Sequence, residues 1–157
     1  MKEFLEEQKE LIEDAFEKLI LISDKDASER KNEKWSRKEI LGHLIDSASV
    51  NHQRIIRAQF TEELIFLGYD QDDWVKAQNY KSASWSLLVE LWKNYNLLIL
   101  HAIDNISEDI LLRKRDRHNF DEIEWKPIDK KSPASLDYMI KDYFGHMYHH
   151  LKQIFNY

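Results

Sequence analysis

The chain has 157 residues, 43% of them hydrophobic and 33% charged, with 29 acidic against 23 basic side chains for a formal net charge of -6. That length lets one domain, residues 1–157, close a core without staples, and the negative balance sets it against phosphate backbones and anionic lipid, so no nucleic acid and no membrane is expected as a partner. There is no cysteine, which removes disulfides, thiolate metal sites and a cysteine nucleophile together and leaves nitrogen and oxygen as the available metal donors.

Three glycines and two prolines point to long helices with few tight turns, hence an all-α protein. No apolar run reaches the roughly 18–20 residues that span a bilayer, and the charged, amphipathic start MKEFLEEQKE does not read as a signal sequence; a cytoplasmic location is expected. The first helix runs from about Glu3 to Ile22, with Phe4, Leu11, Ile12, Ala15, Phe16, Leu19 and Ile20 on one side. The second begins with Ser36 as N-cap, Glu39 completing a capping box and Trp35 with Ile40 as a hydrophobic staple, and it extends to about Gln59. A long connection follows, from about Phe60 to Ser82. The third helix spans about Trp85 to Ile106 on a wide stripe of Leu88, Leu91, Trp92, Tyr95, Leu98, Ile99 and Ala102. A second long connection, about Ser107 to Lys131, holds a basic cluster, Arg113 to Arg117, which reads as a solvated loop. Its segment HNFDEIEWKPI alternates weakly, as a short β excursion would. The fourth helix opens at Ser132 with Pro133 at its first position, or one turn later at Ser135, and runs to about Phe155. The sum is a four-helix bundle with two long inter-helix connections, and connections of that length carry function or structure of their own.

His146 and His150 stand one turn apart on the fourth helix, about 6 Å along its axis and roughly 40° around it. They continue an inward stripe of Met139 and Tyr143. Burying two imidazoles unpartnered costs a few kcal/mol, whereas a metal satisfies one nitrogen of each and leaves the other for an acceptor. Asp142, a turn before His146, is the expected acceptor. His43, in the stripe Ile40, His43, Ser47, Val50 of the second helix, is the best-placed third ligand. Three histidines with an open position describe a catalytic type of zinc or nickel site; a pair of histidines at this spacing also arises in ordinary bundle interfaces. Of the others, His149 and His52 are rotated away, His101 reads as core and His118 as loop surface.

The runs WSRKEILGHLIDSASVNHQR, GYDQDDWVKAQ and DYFGHMYHHLKQI together resemble the DinB/YfiT-like family of candidate metalloenzymes, over nearly the whole chain from the second helix onward. The resemblance implies a four-helix bundle with one metal-binding histidine on the second helix and two on the fourth, commonly holding zinc or nickel, and those positions fall on His43, His146 and His150. It also implies a choice of chemistry, since relatives include thiol S-transferases that use bacillithiol, an isomerase that uses mycothiol, and metal-dependent hydrolases.

The expected protein is therefore an enzyme in which a divalent metal activates a low-molecular-weight thiol or a water for attack on a small-molecule substrate. Asp46 and Arg54, one and three turns beyond His43, are substrate-pocket candidates together with Tyr143. Tyr69, Asp70, Asp73 and Trp74 of the first connection are placed to line or cover the metal mouth, with Trp74 more readily read as a packing anchor under the loop. The alternative is a non-catalytic, metal-stabilised bundle serving as a binding or homodimeric interaction module, which would have a closed site.

Overall fold

A computed structural model describes residues 1–157 as eight α-helices: α1 (Lys2–Leu19), α2 (Asp24–Ser28), α3 (Arg37–Ala58), α4 (Gln71–Gln78), α5 (Trp85–Asp104), α6 (Glu108–Leu112), α7 (Phe120–Ile123) and α8 (Leu136–Phe155). The four long ones, α1, α3, α5 and α8, are the four-helix bundle read from the periodicity. Their starts follow from side chains that satisfy otherwise unpaired backbone N–H groups. The Ser36 hydroxyl accepts from the Glu39 N–H at 3.4 Å while the Glu39 carboxylate accepts from the Ser36 N–H at 2.8 Å. Ser84 caps α5. Ser135 caps α8, not Ser132, because Ala134 is held extended by paired backbone bonds to Arg115 at 2.8 and 3.0 Å.

The packing order around the bundle is α1, α5, α3, α8, with α3 against both α5 and α8. An edge-to-face contact of Phe4 with Phe144, ring centroids 5.7 Å apart, joins α1 to α8. Trp92, Phe120, Leu136 and Met139 are among the fully enclosed side chains of one continuous apolar core. No helix is long and apolar enough to cross a membrane.

α3 is the most enclosed element, and it buries Lys38, Glu39, His43, Asp46, Ser47, Asn51 and Arg54 along with its apolar residues. Each buried polar group needs a partner. Asp46 finds two in the first connection: the Tyr80 hydroxyl donates to it at 2.6 Å and the Gln78 amide also donates to it. These bonds fasten α4 and the following 3-10 turn, Tyr80–Ser82, onto α3. The Tyr80 ring occupies the space where Gly42 has no side chain.

The second connection departs from the expected β excursion. Its HNFDEIEWKPI segment forms the one-turn helix α7, and the pairing is limited to isolated bridges of Leu64 with His118 and Arg115 with Ala134. No neighbouring strand is present to extend either bridge into a ladder, and Phe120 is pulled wholly into the core instead. The basic cluster is only partly solvated: Arg113 and Arg117 pair with Asp109 and Glu63, but Arg115 is buried and donates to the Ala58 carbonyl at 3.0 Å, where α3 ends with unpaired carbonyls. His118 is likewise buried, its ring bonded to the Ser132 carbonyl at 2.7 Å and accepting from the Phe120 N–H at 3.1 Å. His101, expected in the core, is exposed on the outer face of α5.

A methyl group at position 42 would run into the Tyr80 ring. Gly42→Ala is expected to destabilise the protein by about 1–3 kcal/mol through overpacking. Gly68→Ala is the control; its nearest neighbour is an Ile123 methyl at 3.9 Å, and a change within about 0.5 kcal/mol is expected. Urea denaturation midpoints of the two variants check this.

Candidate metal centre

α3 and α8 run antiparallel, with the Arg37 guanidinium at the start of α3 donating to the Ile154 carbonyl near the end of α8 at 3.0 Å. This register brings His43, two turns into α3, opposite His146 and His150 of α8. Ligand atoms of the three imidazoles all lie within 4.8 Å of one another. The ring centroids are 5.1 Å apart for His43 and His146, 4.8 Å for His43 and His150, and 4.6 Å for His146 and His150. All three planes are steeply inclined to each other.

The donor set fits a tetrahedral divalent ion. His43 Nε2 and His146 Nε2 face each other at 3.2 Å, close to the separation of about 3.3 Å for two nitrogens each about 2.0–2.1 Å from one tetrahedral zinc. His150 places its Nδ1 2.8 Å from the Gln153 Oε1; with that N–H donating, the Nε2 lone pair is free for coordination. The Gln153 amide in turn donates to His149 Nε2 at 3.0 Å, which fixes its orientation. His43 Nδ1 is buried with no hydrogen-bond partner. Zinc or nickel suits three neutral imidazoles of this kind.

Neutrality is built into the surroundings. Burial, with the neighbouring His150 adding to it, lowers His43 to about 4, and burial together with His150, His43 and His149 lowers His146 to about 3. His150 is also lowered, again chiefly by burial, against a raising effect of Gln153. Trp35 covers His43, centroids 5.3 Å apart. On the other side Trp125 lies over Gly145, 6.3 Å from the His146 ring and 5.4 Å from His149.

Asp142 does something other than accept a histidine N–H. Its two carboxylate oxygens receive the backbone N–H groups of Trp125 and Lys126 at 2.8 and 3.0 Å, an adjacent pair of donors in a loop with no helix or sheet of its own to satisfy them. It thereby ties the second connection down beside the histidines. The same tie carries Glu124 inward.

A cavity of about 150 Å³ opens beside His43 and His146 and is lined by Ser47, Asn51, Arg54, Tyr69, Glu124, Asp142 and Tyr143, among others. Of the expected pocket residues, Arg54, Tyr143 and Tyr69 are on its walls. Tyr143 donates its hydroxyl to Asn96 at 2.5 Å. Asp46 is not on the wall, being committed to Tyr80 and Gln78. Asp70 and Asp73 belong to the start of α4, where the Asp70 carboxylate accepts from the Asp73 N–H at 2.9 Å, and Trp74 packs against Tyr69 at a tilt of 46°, centroids 4.7 Å apart. His52 is half-buried against Tyr95, away from the cluster.

Glu124, Trp125 and Gln153 were not anticipated from sequence. Gln153 had a legible signal, one turn beyond His150. Glu124 had none, since it sits in an irregular acidic stretch that reads as solvated. In the fold, burial and then the adjoining Asp142 carboxyl push Glu124 up to about 9, and its Oε1 has no hydrogen-bond partner.

The chain shares its fold with two proteins of known structure. It superposes on a structure described as YfiT from Bacillus subtilis, a probable metal-dependent hydrolase with an unusual four-helix bundle topology, with a TM-score of 0.76 at 17% identity over 99% of this chain and 86% of that one. It also superposes on the mycothiol-dependent maleylpyruvate isomerase, with a TM-score of 0.66 at 14% identity over 96% of this chain, and it spans 60% of that protein. At these identities the shared property is the fold. No protein-family model matches the chain, and no curated protein matches it in sequence.

The lowered imidazoles set a direction for acid stability. Both values lie below the ordinary 6.5, so between about pH 6.5 and pH 4 the unfolded chain takes up protons that the folded chain refuses, and stability falls as pH falls. Above about pH 6.5 the contribution is constant. For metal-free protein, urea midpoints should drop from about pH 7 to about pH 5 with a slope approaching 1.4 kcal/mol per pH unit for each of the two histidines. A His43→Asn, His146→Asn double variant should lose most of that slope.

Proposed function

We propose that this protein is a metal-dependent enzyme acting on a small molecule, with His43, His146 and His150 holding a divalent zinc or nickel ion. The observation that carries this reading is the cavity beside His43 and His146. The three imidazoles form a group with no fourth metal-binding side chain, and polar walls, not packed apolar ones, adjoin two of them. A purely structural metal would be closed by a fourth protein ligand. When bound, the ion supplies Lewis-acid character that lowers the pKa of a water or thiol and makes a nucleophile available at neutral pH.

The chain's own residues complete the setting. Gln153 fixes the tautomer and orientation of His150, and Trp35 and Trp125 shield the imidazoles from solvent, keeping them uncharged and ready to coordinate. Tyr69, on the cavity wall, keeps its phenol proton, pushed up to about 12 chiefly by burial, and so is available as a hydrogen-bond donor at neutral pH. A carboxyl held neutral by burial and a neighbouring acid, as Glu124 is, can hand a proton to a leaving group.

Hydrolysis is the reaction this reading favours, supported by the likeness to YfiT along most of both chains. A low-molecular-weight thiol in place of water is the second version. One observation favours it: a cleft of about 870 Å³ runs along Trp35, Gln71, His149, Lys152 and Gln153 on the outer side of the histidines, large enough for a cofactor that the inner cavity would not hold.

Replacing His146 with alanine is expected to abolish stoichiometric zinc or nickel binding and, with it, any activity, while far-ultraviolet circular dichroism retains the helical signal. A variant that still binds one equivalent of metal would remove His146 from the ligand set. Screening the metal-loaded protein against esters and amides, with and without a low-molecular-weight thiol plus an electrophile, separates the two versions; turnover independent of thiol identifies the hydrolase.

A further inference from the structure

The cavity beside the histidines has two ends. His43 and His146 form one. At the other, eleven residues further along α3, stands Arg54, a cation that is only 6% exposed.

No acid contacts it, and its hydrogen bonds do not use up its donors. One guanidinium nitrogen, Nη2, donates to the Leu67 carbonyl at 2.8 Å. Nε is buried and has no partner. No carboxylate oxygen lies within ion-pair distance of Arg54. Of the two acids that share the cavity, Asp142 spends both oxygens on the Trp125 and Lys126 N–H groups, and Glu124 attracts Arg54 only from beyond ion-pair distance, its Oε1 without a hydrogen-bond partner. Beyond Arg54 lies an apolar groove bounded by Phe60, Ile65, Leu67 and Trp74, with Arg57 as its other charged residue and no acid on its walls. A buried guanidinium without a counter-ion is costly, because the desolvation of its charge is not recovered by attraction to a partner. A fork of donors facing a cavity matches a carboxylate or phosphate in shape.

Size and charge decide between these anions. A cavity of about 150 Å³ holds roughly five water volumes, the bulk of a small organic acid. One guanidinium balances one negative charge, whereas a phosphate dianion would bring a second charge that no other lysine or arginine on the cavity walls balances.

We propose that Arg54 is the carboxylate anchor of this site, so that the substrate is a small carboxylic acid, or carries a carboxylate at the end remote from the three histidines. This inference rests on the metal-enzyme reading for the direction in which the substrate lies, and on Arg54 alone for its charge. Glu124, on the wall of the same cavity, is then beside the substrate.

The test uses propanoate and propanamide, equal in size and shape and different in charge, with inorganic phosphate as a third probe. Each is titrated into metal-free and zinc-loaded protein while the Arg54 Nε–H resonance is followed by nitrogen-15 NMR, and zinc stoichiometry is measured in parallel. Propanoate should shift that resonance in both forms and bind roughly tenfold or more tightly than propanamide or phosphate. In Arg54→Gln, which retains a donor for the Leu67 carbonyl, that preference should disappear while one equivalent of zinc still binds. If zinc loads normally but propanoate binds wild-type protein no better than propanamide, the anchor is disproved and the metal-enzyme reading stands. If the charge preference is present but zinc does not bind, the anchor stands and the metal-enzyme reading fails. Should Arg54→Gln fail to fold, the comparison of propanoate with propanamide on wild-type protein decides alone.

Discussion

Three uncharged imidazoles held within bonding reach of one another inside a helical bundle are the constraint around which this protein is organised. His43 and His146 point nitrogen at nitrogen across 3.2 Å, an approach that two protonated rings would not tolerate. The antiparallel contact of α3 with α8 sets the spacing, the bond from Arg37 to Ile154 pins the register at that end, and Trp35 and Trp125 pack against the rings. Burial alone would make such a cluster a liability. A shared divalent ion would satisfy one nitrogen of each ring, with Gln153 taking the remaining N–H of His150.

The rest of the polar interior follows from α3. A helix packed on both sides has little room for polar residues, yet α3 buries seven of them outside its own capping serine: Lys38, Glu39, His43, Asp46, Ser47, Asn51 and Arg54. Lys38 and Glu39 are answered by Asp24 and Arg30, and Asp46 by Tyr80 and Gln78. Ser47 and Asn51 are joined to each other, the Asn51 amide donating to the Ser47 carbonyl at 2.9 Å. What is left, His43 and Arg54, marks the two ends of one cavity. The long connections are the means of enclosing it. Asp46 draws the first connection onto α3, Asp142 draws the second onto α8, and their residues Tyr69 and Glu124 close the walls. Two acidic side chains that invite a catalytic role thus act as struts that position the lining.

The parts of this arrangement legible in the sequence are those with helical periodicity. The capping box at Ser36 and Glu39, the inward stripe of Met139, Tyr143, His146 and His150, and the place of His43 and Arg54 on a common face of α3 are all consequences of 3.6 residues per turn. The connections obey no such rule. Glu124 reads as a solvated acid because nothing local shows that Asp142, 18 positions later, will hold the neighbouring backbone. His118 and Arg115 read as surface for the same reason, since their burial depends on pairing with Ser132, Ala134 and Ala58. The error at His101 is of another kind: a helix as apolar as α5 has hydrophobic residues beyond its buried stripe, with Leu87, Leu91 and Leu98 exposed, so an apolar neighbourhood in sequence does not define its inward face.

The most direct measurement is a crystal structure of zinc-loaded protein with anomalous data at the zinc edge. The expected result is one strong peak about 2.0–2.1 Å from the Nε2 atoms of His43 and His146 and from a ring nitrogen of His150, with the fourth position taken by a water or small ligand facing the cavity. A peak elsewhere, or a fourth bond from a protein side chain that closes the site, would contradict it.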